Sequence, residues 1–421
     1  MRFKPEGVDD PIPSLFADLT GFAGISLVCI ITIILAMRYP RISNFLYIAL
    51  ALRVSTLLLG HYVVELPDST RDANSFENRA WMIALAADGF LELFDYYEGP
   101  SARFISWLIA FPYELIGRSV LMAKSMTLFF GMGSVFLAWK LSKKLWGYQI
   151  ANKIGWVMAL FPSLILYSAL IMREAYICFF LLIAIYGVVK WEEKRDVKSI
   201  ILSILGFTGA TFFHGATIIG AMVFVGIIGL ITIRDFFKSI FYVKISVKNL
   251  VFLISIFFVF FLYLSNYIYV PYLGNFESLI DPHVLKRKAR LSVSGLAAYP
   301  EWLVVRDPVE FIYKIPIRGL YFMFAPFPWD VKAIRHLIGM FDGFLYIYLV
   351  FLILKNIKTI WKNFALRIIL LILLAYVAAF ALGVGNFGSG IRHRSKFVFM
   401  FILLAGPFIK NFIFKKKIKQ T

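Results

Sequence analysis

Charge is scarce in this sequence: 16% of its 421 residues are Asp, Glu, Lys or Arg, against about a quarter in a soluble domain. With a mean hydropathy of +0.79 and 44 Phe, that scarcity excludes an ordinary water-soluble fold. Cysteine is almost absent, and Cys29 and Cys178 both lie inside apolar runs. They read as small core hydrophobes, with no disulfide expected. The five histidines lack HxxxH or HExxH spacing, so no metal site is expected. There is no GxxxxGK[ST] or Rossmann glycine pattern, and no repeat is visible of the kind that builds inverted-repeat transporters. The chain opens on polar residues, and no small-residue cleavage site follows its first apolar run. A cleavable signal peptide is therefore not expected.

What the sequence does have is apolar runs, each near the ~20 residues that cross a ~30 Å hydrocarbon core. They read as spans near 20–37, 44–64, 119–138, 154–171, 175–190, 199–213, 215–233, 250–270, 336–354, 366–384 and 396–412. The expected fold is an all-α polytopic membrane protein of about 11 transmembrane helices, a single transmembrane domain over 1–421 with two large connections, 65–118 and 271–335. Alternating sides collects 38–43, 139–153, 190–198, 234–249, 355–367 and the tail "KKKIKQT" with Lys410 before it into one strongly basic set, with 23 Lys/Arg against 4 acids. The rest of the chain, apart from Arg53 in the second span, holds 20 basic and 21 acidic residues. The positive-inside rule puts the basic set in the cytoplasm. The N-terminus is then outside, the C-terminus inside, and both large connections face outward. Those connections are rich in Trp, Tyr and Pro, as suits the headgroup level. "DANSFENRAWMIALAADGFLELF" reads as an amphipathic helix on the membrane, and "FISWLIAF" and "IRGLYFMFAPF" as further interfacial or re-entrant helices.

Short basic inner connections leave no room for a nucleotide domain, so the chemistry is expected on the outer face without ATP. "LPDSTRDANSFENRAW" sets Asp68 and Asp72 four residues apart, on one face if helical, with Glu77 and Arg79 about a turn beyond. Such a carboxylate serves as a general base at the water–lipid boundary; the plainer reading is a solvated loop with Asp72 or Asn74 as helix N-cap. "SALIMREAY" places Arg173 and Glu174 in a short turn where unpaired charge is costly. His214, in "TFFHGA", lies at the same level; its plainer reading is a satisfied core residue. Lys286, Arg287, Lys288 and Arg290 form a dense basic run on the outer side. An anionic ligand such as a diphosphate explains that exception, and anionic headgroups explain it equally. "PIRGLYFMFAPFPWD" and "IRH" add Arg318, Trp329, Asp330, Arg335 and His336. The glycine-rich "GNFGSGIRHRSK" adds Arg392, His393, Arg394 and Lys396, where bare backbone and fork-shaped guanidiniums suit phosphate oxygens.

Carboxylates early in the chain and arginine-rich turns later suit transfer of a sugar from a lipid phosphate or diphosphate. The acid takes the acceptor hydroxyl's proton, and the cations stabilise the departing phosphate without a metal. "ELPDSTRDANSFENRAW" after an early span resembles the GT-C superfamily of polyprenyl-phosphate-dependent membrane glycosyltransferases, which place a catalytic Asp in the first large outer loop. The stretch from "PYELIGRSV" to "FPSLILYSALIMREA" is similar to their following block, and "RGLYFMFAPFPWD" and "NFGSGIRHRSKF" resemble later motifs of O-antigen polymerase (Wzy-type) proteins. The resemblance implies a GT-C-like fold, a base at Asp72 or Asp68, with Asp72 preferred on "DANSF", and Glu174 as the acid of the "RE" pair. It departs from the family in that the Asp follows the second span. By this reading Arg79, Arg173, His214, Arg287, Arg290, Arg318, Arg335, His336, Arg392, His393 and Arg394 bind substrate or phosphate. The resemblance further implies an undecaprenyl-(di)phosphate-linked donor, a polyprenyl-linked acceptor, polysaccharide-assembly partners and the bacterial inner membrane, with no nucleic acid. A polymerase is favoured over a single-sugar transferase. The alternative of another class is a lipid-linked oligosaccharide flippase, which would need charges lining a path through mid-membrane.

Overall fold

The structure is a computed structural model, and it describes residues 15–241, 297–305, 309–332 and 334–410 with a few positions between 254 and 281. In chain order its α-helices are α1 Leu15–Arg38, α2 Ser43–Tyr62, α3 Arg71–Ala86, α4 Phe104–Ile116, α5 Val120–Trp146, α6 Tyr148–Leu160, α7 Pro162–Ser168 and α8 Glu174–Lys194. They continue with α9 Val197–Phe213, α10 Ile218–Phe241, α11 Glu310–Phe324, α12 Ile334–Lys355, α13 Ile357–Lys362, α14 Phe364–Gly383, α15 Phe387–Ser395 and α16 Val398–Ala405. Among the described residues there is no β-strand, and an isolated bridge joins Ala298 and Asn386. The all-α membrane class thus stands.

Six described helices are long and apolar enough to cross a membrane: Ala17–Arg38, Pro40–Tyr62, Val120–Trp146, Glu174–Lys194, Gly215–Lys238 and Phe364–Gly383. The α6–α7 pair, bent by 59°, would make a seventh. Phe104–Ile116, Val197–Phe213 and Val398–Phe408 are shorter apolar helices. Most of the expected span 250–270 lies outside the described residues.

The chain divides into two compact units, 1–136 with 158–179 and 137–157 with 180–421. In the first, α1 packs on α2, α2 on α7, and α3 on α4. α2 buries Phe45, Ala49, Arg53 and Leu57, one residue per turn along a single stripe. α3 stops sooner than its amphipathic pattern suggests. Ala87 is extended at ψ 131° and Gly89 takes φ +107°, a conformation no right-handed helix accommodates. A 3₁₀ turn, Glu92–Tyr96, follows. Neither Asp72 nor Asn74 caps α3: the N-cap is Thr70, and Asp72 falls in the first turn.

The α6–α7 break explains a buried charge. Pro162 has no N–H, so the carbonyl of Met158, four residues back, loses its helical donor. Arg53, 1% exposed, replaces it: Nη2 donates to the Met158 carbonyl at 3.0 Å, and Nη1 to those of Ala159 at 3.0 Å and Ala49 at 3.3 Å. Orphan carbonyls in apolar surroundings each cost several kcal/mol by order of magnitude, and one guanidinium answers the two at the break.

In the second unit α11 packs on α14 and α10 on α14, while α12 meets α16. α8 and α9 approach so closely that a Cβ on Gly206 would collide with the Ala184 backbone. Small residues permit such contact between apolar helices, and Ser203 Oγ donates across it to the Ala184 carbonyl at 3.0 Å.

Candidate functional site

In the first unit the expected acids lie at the start of α3 and just before it. Asp68 is exposed and holds φ +63°, a left-handed conformation that Asp tolerates better than most residues. Tyr167 Oη, at the end of α7, donates to its Oδ2 at 2.8 Å. Asp72 is half-buried one residue into α3, where the helix dipole favours an acid. One turn on, the Phe76 ring lies 5.8 Å below the Arg173 guanidinium. Arg173 and its neighbour Glu174 are buried, 9% and 2% exposed, and Glu174 opens α8. The segment 167–174 therefore touches both Asp68 and the Asp72 face of α3, and Asp68, Asp72, Arg173 and Glu174 come from two stretches a hundred residues apart in sequence.

Arg79 takes another part. It lies two turns past Asp72, ion-paired to Glu98, which also binds Arg103 Nη1 at 3.3 Å. Glu77 is structural: it accepts Arg118 Nε at 2.9 Å, Arg118 Nη2 at 2.6 Å and Tyr113 Oη at 2.9 Å. This buried fork ties α3 and α4 to the start of α5. The sequence reading missed Tyr167, Glu98, Arg103 and Arg118, whose contacts are long-range and leave no local pattern.

The second unit holds the remaining expected cations, and two of them, Arg394 and Arg318, are bonded to backbone carbonyls. Arg394, 0% exposed, donates from Nη1 to the carbonyls of Met323 and Ala325, both at 2.9 Å, and Phe322 at 3.4 Å. Its Nη2 meets Asp342 Oδ2 at 3.1 Å. Phe322 again stands four residues before a proline, Pro326, that has no N–H to offer. Arg318, 1% exposed, donates to the carbonyls of Ala381 at 3.1 Å, Leu382 at 3.2 Å, Val384 at 2.9 Å and Leu303 at 3.0 Å, closing the C-terminus of α14. Burial lowers its pKa, a cost its four carbonyl bonds offset. Both guanidiniums hold helix ends.

"GNFGSGIRHRSK" is likewise helical rather than an open glycine turn. Asn386 Oδ1 accepts the amides of Gly388 at 2.8 Å and Ser389 at 3.3 Å, capping α15. His214 Nδ1 accepts the Ala216 amide at 3.3 Å, and its ring stands 5.2 Å from that of His393. His393 Nδ1 lies 2.5 Å from Lys396 Nζ, and Lys396 is wholly buried. His336 is buried, with Nδ1 accepting the Lys332 amide at 3.0 Å and its ring against Phe387. Asp330 Oδ2 accepts the Phe327 amide at 3.0 Å, and Trp329 stacks on Phe327. Arg392 is half-buried on α15. Lys286, Arg287, Lys288, Arg290 and the Arg335 side chain lie outside the described residues. Among the described residues no three His, Cys, Asp or Glu side chains gather to hold a metal ion. Comparison with known proteins finds no matching family model, no matching curated protein and no matching solved structure.

Proposed function

We propose that this protein is a membrane glycosyltransferase that moves a sugar or glycan from a polyprenyl-(di)phosphate donor, with Asp72 or Asp68 as the base. The observation that supports it most is the meeting of two distant polar stretches in the first unit: Tyr167 bonds Asp68 at 2.8 Å, and Arg173 lies over Phe76, one turn from Asp72. An acid that is accessible yet held in place, near a guanidinium and at the end of apolar helices, suits deprotonating a hydroxyl beside a lipid phosphate. The carboxylate takes the acceptor's proton as its oxygen bonds to the anomeric carbon. The bond from that carbon to the phosphate oxygen breaks, and the lipid (di)phosphate leaves with the electron pair. Arg173 stabilises the charge developing there.

The charge distribution along the chain supports the periplasmic face of a bacterial inner membrane as the place of this chemistry, and the reading is completed by assembly of a surface polysaccharide such as O-antigen, with a polymerase favoured. The test is Asp72→Asn in cells that depend on the protein for polysaccharide. Loss of long-chain product at normal membrane levels of the variant supports the assignment. Undiminished product from both Asp72→Asn and Asp68→Asn would refute it.

A further inference from the structure

A second feature of the first unit lies further along α3 and has no part in the transfer step. Arg79, Tyr97, Glu98, Arg103, Phe104 and Trp107 line a shallow cleft that opens to solvent. A ligand there lies against its surface and is not enclosed by it. Its walls are of two kinds. Tyr97 and Trp107 rings stand 5.2 Å apart, and Phe104 stacks on Trp107 at 5.4 Å with 27° between planes. The Trp107 indole is fixed by its Nε1 donating to the Leu93 carbonyl at 2.8 Å, while Tyr97 stays 39% exposed. Beside the rings, Glu98 is shared by Arg79 and Arg103. Two guanidiniums against one carboxylate leave a net positive charge at the cleft.

The geometry points to a saccharide subsite that holds one pyranose ring, with a preference for a ring carrying a carboxylate. An aromatic face carries negative quadrupole density and attracts the slightly positive C–H face of a pyranose. Planar guanidinium and carboxylate groups at the edge match paired hydroxyls, and the surplus guanidinium favours an acidic sugar. The subsite's place fits the proposed chemistry, on which this inference rests. Arg79 follows Asp72 by seven residues, two turns along the same helical face, or about 10 Å at the α-helical rise. That separation sets the cleft one or two sugar units from the reacting hydroxyl.

The test uses the purified full-length protein in detergent and saturation-transfer NMR, with methyl β-glucopyranoside and methyl β-glucuronide as probes. Transfer from both, stronger from the glucuronide, is the expected result. Tyr97→Ala should reduce it by roughly two- to tenfold, the scale of an aromatic contact, and Arg103→Ala should remove the preference for the glucuronide. Asp72→Asn should bind like the wild type, which separates this inference from the transfer reading. Binding retained without turnover by the wild-type protein would sink only the latter. No transfer from either glycoside to the wild type, full transfer in Tyr97→Ala, or phosphate binding alone by ³¹P line broadening would overturn the subsite.

Discussion

Two groups of arginines in this protein are used in opposite ways. In one, Arg318 and Arg394 are enclosed and bonded to carbonyls at the ends of α14 and α11, as Arg53 is at the α6–α7 break. Around α3, by contrast, Arg79, Arg103, Arg118 and Arg173 meet carboxylates or aromatic rings. The difference teaches that an arginine in an apolar chain is not by itself evidence of an anionic ligand. Where helices are interrupted away from water, the backbone is the first claimant on the guanidinium, and only side chains that answer other side chains remain as candidates for chemistry.

Substitutions at four positions would break or sharpen that contrast. The largest effect is expected from Asp72→Asn, which should lower transfer roughly 10²–10⁴-fold, the usual contribution of a general base, while the melting temperature in detergent stays put. Arg394→Ala should do the reverse. It strands the Asp342 carboxylate and the α11 carbonyls, costing about 3–5 kcal/mol, and should show as low yield or early melting rather than a specific loss of turnover. Arg394→Lys should rescue it poorly, since one ammonium cannot reproduce the fork. Arg53→Met should cost about 1–3 kcal/mol for the carbonyls left bare, visible as a lower melting temperature. The mildest change is Tyr167→Phe, which removes one hydrogen bond to Asp68, worth about 0.5–1.5 kcal/mol. A few-fold fall in turnover with little change in stability is expected; a change in stability alone would make Tyr167 a packing residue.

The helices were legible because apolar runs and turn residues mark them directly: α1, α2, α5, α8, α10 and α14 stand close to the runs that announce them. The early end of α3 was not, since the amphipathic period runs on through Asp88 and Gly89 and only the left-handed Gly89 stops it. Asp68, Asp72, Arg173 and Glu174 were legible as polar residues in apolar surroundings. Their meeting through Tyr167 and Phe76 was not, because long-range contacts leave no local pattern. The roles of Arg53, Arg318 and Arg394 were hidden for the same reason. The cue for two of them was a proline four residues beyond a carbonyl, Pro162 and Pro326, but which distant arginine answers that carbonyl is a property of the fold.

The most direct measurement is glycan transfer by the purified protein in detergent, with polyprenyl-diphosphate-linked glycan as both donor and acceptor and product length read by mass spectrometry. New glycosidic bonds formed by the wild type and lost in Asp72→Asn, with Arg53 and Arg318 variants active in proportion to the folded protein they yield, is the predicted result. A folded wild-type protein that forms no bond, or an Asp68→Asn, Asp72→Asn double variant that forms them at full rate, would contradict the account.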